Sequence, residues 1–264
     1  MARDTLHTRA MGDHGPLIVF CHGLFGQGRN WTGIGKELSA EHRVLLVDMP
    51  HHGRSPWSAH FDYLDVADQV AGLLDGLLDG EDPVTLVGHS MGGKAAMVLA
   101  LRHPARVERL CVVDVAPVCY DRASEFGGYI TAMQGLDLGA LSRRSDAETA
   151  LRDAVPNTSV RSFLLQNLRR DGDRWSWLAN LDVLGEHLHV LGGWPEGDLA
   201  DAVPYAGPVL WIGGERSDYV LDEYAGAMDR WFPHNRRVTI KGAGHWVHAE
   251  QPAVFVEVLR HFVG

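Results

Sequence analysis

The stretch Val84-Thr85-Leu86-Val87-Gly88-His89-Ser90-Met91-Gly92-Gly93-Lys94 decides the fold of this chain of 264 residues. Its first half is a short apolar run rich in β-branched residues, which is typical of a buried strand. Its second half leads into a helical run from Lys94 to Leu101. The pentapeptide Gly88–Gly92 has the form Gly-x-Ser-x-Gly, which puts a serine on a sharp turn between a strand and a helix. This context predicts a nucleophilic Ser90 rather than an incidental serine in a glycine turn.

Short apolar runs alternate with helical patterns on both sides of this stretch. The other predicted strands are Pro16–Cys21, Arg43–Asp48, Leu110–Asp114, Val209–Gly213 and Arg237–Ile240. Apolar residues at helical spacing predict helices over Tyr63–Leu78 and Pro252–Phe262. This alternation is typical of a mainly parallel sheet covered by helices. We therefore expect an α/β fold in which both ends of the chain contribute to one sheet.

Residues 120–199 interrupt the alternation. They show no convincing strand pattern but four helical ones, Phe126–Leu138, Asp146–Ala154, Ser159–Leu168 and Leu181–Leu191. We therefore predict a core of residues 1–119 and 200–264 and a helical cap insertion of residues 120–199. Three tryptophans of the insertion either line an acyl pocket or pack the insertion onto the core. They are Trp175, Trp177 and Trp194.

A serine hydroxyl is a weak nucleophile and needs a neighbouring base that removes its proton. The stretch Gly242-Ala243-Gly244-His245-Trp246 follows the last predicted strand and holds a histidine in a glycine-rich turn. Because this turn lies downstream of Ser90 and after a strand, His245 is the favoured base among 15 histidines. The competing histidines are His248, His22 and His89.

A developing oxyanion needs backbone N–H donors. The turn His22-Gly23-Leu24-Phe25-Gly26 follows the first buried strand. In such a turn, the N–H of Leu24 can join that of Met91 in facing the oxyanion. The alternative interpretation of this stretch is a glycine-rich bend out of a strand. We expect Leu24 and Met91 to form the oxyanion hole.

Over essentially its whole length, the chain resembles the α/β-hydrolase superfamily. Within that superfamily, it is similar to the group of YbfF-type esterases and abhydrolase-domain-11-like proteins. The stretches that carry this resemblance, besides the two turns and the extension to Lys94, are Val113-Asp114-Val115-Ala116-Pro117-Val118 and Gly244-His245-Trp246-Val247-His248-Ala249. The resemblance implies an α/β-hydrolase fold, a helical cap inserted after the sixth strand, Ser90 as nucleophile and His245 as base.

Two carboxylates compete for the third position of the triad. In most relatives the acid follows the penultimate strand, where Asp218 lies, but Asp218 comes one place late and Ser217 falls nearer the usual position. Asp114 ends the strand that follows the nucleophile's helix, and YbfF-type relatives use this position. The non-catalytic alternatives are that Asp114 caps the turn after its strand and that Asp218 is a solvated acid in a loop. We favour Asp114 over Asp218, with Asp182 a distant third.

These residues predict a serine carboxylesterase that hydrolyses small-to-medium acyl esters through an acyl-enzyme. A serine at the nucleophile position argues against epoxide and haloalkane chemistry, and no cofactor is implied. We find no His-Glu-x-x-His motif or cysteine pair that would indicate a metal site. Two alternatives stay open. The same triad could act on a thioester, lactone, amide or carbon–carbon bond, or the fold could serve as a ligand-binding receptor.

The charge balance bears on partners and location. The chain has 34 acidic and 24 basic residues, a net charge of −10, which argues against binding to nucleic acid or an anionic membrane. No apolar run reaches about 18 residues, and the first residues do not form a secretory signal. Three cysteines, Cys21, Cys111 and Cys119, are too few for a disulfide framework. We expect a cytoplasmic monomer or small homo-oligomer whose partner is a small-molecule ester.

Overall fold

The computed structural model describes residues 5–78, 82–121 and 123–264. Nine strands lie within these residues: β1 (Thr8–Met11), β2 (Leu17–Cys21), β3 (Arg43–Val47), β4 (Val84–His89), β5 (Val107–Val113), β6 (Leu168–Asp171), β7 (Arg174–Trp177), β8 (Val209–Gly214) and β9 (Asn235–Ile240). The α-helices in the same part of the chain are α1 (Thr32–Leu38), α2 (Tyr63–Leu78), α3 (Met91–Arg102), α4 (Ala123–Gln134), α5 (Arg144–Ala150), α6 (Thr158–Leu165), α7 (Leu181–Glu186), α8 (Leu188–Gly192), α9 (Ala225–Trp231), α10 (Val247–Glu250) and α11 (Pro252–Val263).

Seven strands form the central sheet, in the order β1-β3-β2-β4-β5-β8-β9. β1 pairs antiparallel with β3, and every other pair in this sheet is parallel. The predicted mainly parallel sheet is therefore confirmed. β4 is buried along its whole length, as expected for a central parallel strand covered on both faces. Because the strands are parallel, the turns after β2, β4, β5, β8 and β9 all lie at one edge of the sheet.

Helices cover both faces of this sheet. α2 packs against α3 on one face, and α1 packs against α11 on the other. Every residue of α3 from Met91 to Leu101 is buried. The helix that begins at the Gly-x-Ser-x-Gly turn is thus enclosed by the core, which fixes the position of the turn itself.

The chain between β5 and β8 adds no described strand to the central sheet. It forms helices α4 to α8 and an antiparallel hairpin of β6 and β7. The expectation of an insertion without strands is therefore wrong. Asp171-Gly172 begins the hairpin turn, and Gly172 adopts a φ of 59°. β6 is mostly charged (Leu-Arg-Arg-Asp), and the alternation in β7 (Arg-Trp-Ser-Trp) extends over only four residues, so neither arm gives a strong strand pattern.

Two further expectations need correction. The helix expected over Leu181–Leu191 is two helices, α7 and α8, which meet at His187. The insertion follows the fifth strand in chain order rather than the sixth. The number six was implied by the family resemblance. In the described part of this chain, a single strand, the partly exposed β1, precedes the first buried strand.

Candidate active site

Ser90 lies on the turn between β4 and α3. Its backbone has a φ of 53° and a ψ of −119°, a conformation that non-glycine residues rarely adopt and that costs on the order of 1–3 kcal/mol. The Ser90 N–H donates to the carbonyl of Val113 on β5 at 3.0 Å, which fixes the turn against the neighbouring strand. The serine side chain therefore projects from the edge of the sheet at the start of a helix.

The glycines of the motif allow close packing around this serine. A Cβ atom on Gly92 would lie 2.5 Å from the carbonyl oxygen of His22 and 2.6 Å from that of Cys21. A Cβ atom on Gly88 would collide with the backbone of Gly92. Since these obstacles are backbone atoms, a larger residue would force the turn away from β2. The glycines are therefore required by packing.

His245 lies in the turn after β9 and makes a hydrogen bond through each ring nitrogen. Its Nε2 atom is 3.1 Å from Ser90 Oγ, and its Nδ1 atom is 2.7 Å from Asp114 Oδ2. The ring of Tyr219 stacks on the imidazole with the centroids 4.2 Å apart. The structure thus brings Ser90, His245 and Asp114 into one chain of hydrogen bonds.

Asp114 is completely buried at the end of β5 and has a φ of 53°. Its Oδ1 atom accepts a hydrogen bond from the Gly214 N–H at 2.9 Å. Its Oδ2 atom accepts a second one, from the Ser217 hydroxyl, in addition to its contact with His245. Ser217 is the residue that falls nearer the family's usual position for the acid than Asp218 does. Here its hydroxyl supports the carboxylate of Asp114 instead.

The other two candidate acids do not hold the imidazole. Asp218 lies among the residues that line the pocket in front of Ser90. Asp182 accepts a hydrogen bond from Gln134 at 2.6 Å, at the exposed junction of α7 and α4. Both ring nitrogens of His245 already have partners, so neither aspartate is needed to orient the ring.

His22, one of the competing histidines, and the neighbouring His52 are buried and bonded to the backbone. His22 donates through Nδ1 to the Gly23 carbonyl at 2.8 Å and accepts the Met49 N–H at Nε2. Burial lowers the pKa of His22 to about 4. His52 accepts the Phe25 N–H at 3.1 Å, and burial lowers its pKa to about 3. These neutral rings hold the turn after β2, a role that the sequence did not reveal.

His89 and His248 hold the turn that carries His245. The Nε2 atom of His89 donates to the His245 carbonyl at 2.8 Å. The ring of His248 stacks on Trp31 with the centroids 4.1 Å apart. Burial lowers the pKa of His89 well below its usual range and lowers the pKa of His248 to about 3. Both rings are therefore neutral supports at ordinary pH.

Leu24 and Met91 lie together beside Ser90. All three residues line a cavity of about 30 Å³ behind the serine. The N–H of Met91 belongs to the first turn of α3, where no carbonyl of the same helix can accept it. The turn that carries Leu24 is closed by a hydrogen bond from the Gly26 N–H to the Gly23 carbonyl at 2.9 Å. Both residues therefore border the same cavity as Ser90, and their role as oxyanion donors stays a prediction.

A pocket of about 230 Å³ opens in front of Ser90. Its apolar lining comes from the inserted segment and from the loops of the core. The side chains concerned are Phe25, Phe126, Tyr129, Val160, Phe163, Leu164, Tyr219 and Trp246. The three tryptophans singled out in the insertion are absent from the described lining. Trp175 donates to the Leu141 carbonyl, Trp194 packs on Trp231 and Trp177 packs on the core, so their role is packing.

Lys94 is a buried cation on α3, one turn beyond the start of the helix. Its ammonium group donates to the carbonyl of Val118 at 3.0 Å and to those of Gly192 at 2.7 Å and Gly193 at 2.5 Å. Burial lowers the pKa of Lys94 to about 7. One side chain thus ties both Val118, just before the insertion, and the last part of the insertion to the helix that follows Ser90.

No group of three metal-ligating side chains is arranged to hold an ion within residues 5–78, 82–121 and 123–264. None of the described helices combines the length and hydropathy that a membrane crossing requires. The cysteines there are unpaired, with Cys21 and Cys111 buried and Cys119 exposed.

A mainly parallel sheet with helices on both faces, and a serine in a strained backbone conformation directly after a central strand, define an α/β hydrolase. The comparison with protein families agrees, because residues 16–252 match the alpha/beta hydrolase fold family. The chain belongs to this family.

Named relatives refine the class. The chain is 39% identical to the mouse (Mus musculus) protein sn-1-specific diacylglycerol lipase ABHD11, over 94% of this chain and 81% of the relative. It is 34% identical to Esterase YbfF of Escherichia coli (strain K12), over 93% and 92%. A solved structure titled marine microorganism esterase matches with a TM-score of 0.93 and 33% identity, over 98% of this chain and 100% of that one. The chain is therefore an enzyme of the esterase/lipase type within the α/β hydrolases.

Proposed function

We propose that this protein is a serine carboxylesterase in which Ser90 is the nucleophile, His245 the base and Asp114 the acid. The observation that carries the proposal is the chain of hydrogen bonds from Ser90 Oγ through the imidazole to Asp114 Oδ2, at 3.1 and 2.7 Å. Ser90 and His245, at one end of this chain, line a mostly apolar pocket. An incidental serine would need neither a bonded imidazole nor a buried carboxylate behind it.

In the proposed mechanism, His245 Nε2 takes the hydroxyl proton as Ser90 Oγ attacks the ester carbonyl. The proton then passes to the departing alcohol, and an acyl-enzyme remains on Ser90. Water, deprotonated by His245, attacks this acyl group and releases the acid. Asp114 keeps the proton of the neutral ring on Nδ1 and stabilises the imidazolium that forms.

The N–H groups of Leu24 and Met91 are the proposed oxyanion donors. They support this role because both residues border the small cavity beside Ser90, and the Met91 amide is at the positive end of α3. Loss of one such donor typically costs about 100-fold to 1,000-fold in turnover. The Gly-x-Ser-x-Gly turn thus supplies both the nucleophile and one electrophilic contact.

We propose small-to-medium acyl esters as substrates, because the apolar pocket of about 230 Å³ favours a chain of limited length. The name of the mouse relative adds diacylglycerol to the substrates worth testing. Each methylene group that enters the pocket contributes about 0.8 kcal/mol, so kcat/KM should rise about fourfold per methylene until the pocket is full. We further propose that the protein acts in the cytoplasm, as a monomer or small homo-oligomer.

The experiment that tests this function is hydrolysis of p-nitrophenyl esters of graded acyl length, with diacylglycerol as a further substrate, by the parent and by Ser90→Ala. We expect activity in the parent and its loss in the variant, with unchanged circular dichroism. Ser142→Ala, at an exposed serine of the insertion, is the matched control and should keep the parent rate. Residual activity of Ser90→Ala above a few per cent of the parent rate would remove Ser90 from the mechanism.

A further inference from the structure

A second cleft lies between the inserted segment and the side of the sheet that ends in β3 and β1. It has a volume of about 540 Å³, and a single carboxylate, Asp48, is present in its described lining. Five arginines line the same cleft: Arg9, Arg29, Arg54, Arg144 and Arg169. Acidic residues outnumber basic ones by 34 to 24 in the whole chain, so this cluster of cations runs against the net charge.

The one carboxylate of the cleft is already engaged. Its Oδ1 atom accepts the Gly28 N–H at 2.7 Å. Its Oδ2 atom accepts the Arg54 N–H at 3.0 Å and lies 3.0 Å from His7 Nδ1. Asp48 therefore organises the backbone of two turns, and its oxygens are occupied by groups other than the guanidinium ions of the cleft.

Two of the arginines, Arg29 of the core and Arg144 of the insertion, donate to backbone carbonyls of the insertion. Arg29 donates to the Gln166 carbonyl at 2.8 Å. Arg144 donates to the Leu168 carbonyl at 3.2 Å and also to that of Leu165. Partial burial, followed by the nearby charge of Arg29, lowers the pKa of Arg144, although Glu148 opposes this change. Two guanidinium ions thus lie close enough to repel each other.

The remaining three arginines are exposed at the cleft. Within the described part of the chain, Arg9 and Arg54 make no ion pair. Arg169 has Asp171 at 3.8 Å, and both side chains of this pair are more than half exposed. Surface pairs of this kind contribute little and yield readily to a better partner. Most of the positive charge of the cleft is therefore uncompensated.

We propose that this cleft binds a small anion that carries two or more phosphate groups. Guanidinium groups bind phosphate oxygens through two parallel hydrogen bonds, and several of them in one cleft favour a multivalent anion. Clefts lined by one sign of charge also concentrate oppositely charged ligands. The volume lies within the range of about 300–1,000 Å³ that is usual for small-ligand sites, which favours a compact ligand over an extended acidic peptide.

The geometry also indicates what such a ligand would do. Arg9, Arg29 and Arg54 belong to the core, whereas Arg144 and Arg169 belong to the insertion. A phosphate-bearing anion between them would remove the repulsion between Arg29 and Arg144 and would join the two parts of the chain. The site lies outside the ester pocket, so the proposal does not depend on the proposed esterase activity.

The test is isothermal titration calorimetry of the full chain with inorganic tripolyphosphate at low ionic strength. Inorganic phosphate, which has a single phosphate group, is the comparison ligand. We expect saturable binding of tripolyphosphate that weakens as salt is added, and weaker binding of single phosphate. The double variant Arg29→Gln/Arg144→Gln should lose about tenfold or more in affinity, because two charge-assisted contacts are removed. Arg9→Gln, at an exposed arginine without an ion pair, gives a second variant that should lose affinity without disturbing the fold.

The matched control is Arg170→Gln, which lies beside Arg169 on the hairpin but pairs with Asp173 and is absent from the cleft lining. It should bind tripolyphosphate as the parent does. The proposal is overturned if no saturable binding occurs, if the cleft variants bind as the parent does, or if Arg170→Gln loses as much affinity as they do. It is also overturned if poly-glutamate binds more tightly than tripolyphosphate, since the ligand would then be an acidic peptide.

Discussion

The turns at the edge of the sheet and the inserted segment are held in different ways. The turns that carry Ser90, Asp114 and His245 are fixed by bonds among buried groups, such as the Ser90 N–H to the Val113 carbonyl and the Gly214 N–H to Asp114. The insertion is joined to the core by scattered polar ties, of which Lys94 makes two, to Gly192 and Gly193. The difference suggests that the core determines the chemistry, whereas the insertion determines what enters the pocket.

The largest expected effect comes from the acid at the edge of the sheet. Asp114→Asn keeps the shape of the residue but removes the charge that orients His245, and the equivalent change in a well-studied serine-protease triad costs about ten-thousandfold in turnover. We expect a loss of that order in kcat for ester hydrolysis. Asp218→Asn is the matched control, because it alters a pocket-lining aspartate, and should lose only a small fraction as much. A dead Asp218→Asn beside an active Asp114→Asn would reverse the assignment.

The second prediction concerns acid stability, since four buried histidines support the turns of the core. They are His22, His52, His89 and His248, and burial lowers the pKa of each. The unfolded chain, with ordinary pKa values near 6.5, binds more protons than the folded chain between that pH and about 4. The free energy of unfolding should therefore fall as pH drops below about 6.5, by up to about 1.4 kcal/mol per pH unit for each histidine.

Denaturant unfolding from pH 8 to pH 4.5 measures this dependence. His248→Phe retains an aromatic ring against Trp31 but removes one titrating group, so its slope below pH 6.5 should be smaller by one proton. Above pH 7.5, where the histidine is neutral in both states, the variant should differ from the parent by a constant amount. Equal slopes for parent and variant would show that this ring is not a neutral support.

The smallest expected effect concerns the ties between the two regions. Lys94→Met fills a similar volume but removes a charged donor from three backbone carbonyls, of which that of Gly192 retains the Tyr120 N–H, so we expect the free energy of unfolding to fall by about 2 kcal/mol. Arg102→Met removes the partly exposed pair with Asp68 and should cost less than about 1 kcal/mol. Urea unfolding at pH 6, where Lys94 is protonated, compares the two variants. A Lys94→Met variant as stable as Arg102→Met would contradict the proposed tie.

The same contrast explains what could be predicted from the sequence. The core strands are short apolar runs, and the Gly-x-Ser-x-Gly turn has few alternative structures, so β4, α3 and the placement of Ser90, His245 and Asp114 followed from residue patterns together with the family resemblance. The hairpin of β6 and β7 was missed because each arm has only four residues, β6 is mostly charged, and neither arm is buried along its length. Tertiary contacts decide such segments more than local preference does.

The supporting histidines and the arginine cleft were also beyond the reach of the sequence. His22 and Met49, or His89 and His245, are far apart along the chain, and nothing in their spacing indicates that they meet. Arg29 and Arg144 are separated by more than a hundred residues along the chain. They line the same cleft next to the hairpin of β6 and β7, which the sequence did not predict. Long-range polar pairs of this kind leave no periodic signal in a single sequence.

The most direct test of the central claim is to react the protein with a fluorophosphonate and to locate the adduct by mass spectrometry of proteolytic peptides. The account predicts a single adduct on Ser90, formed rapidly in the parent and in Asp218→Asn and much more slowly in Asp114→Asn. An adduct on another residue, or labelling of Asp114→Asn at the parent rate, would contradict the proposed chain from Ser90 through His245 to Asp114.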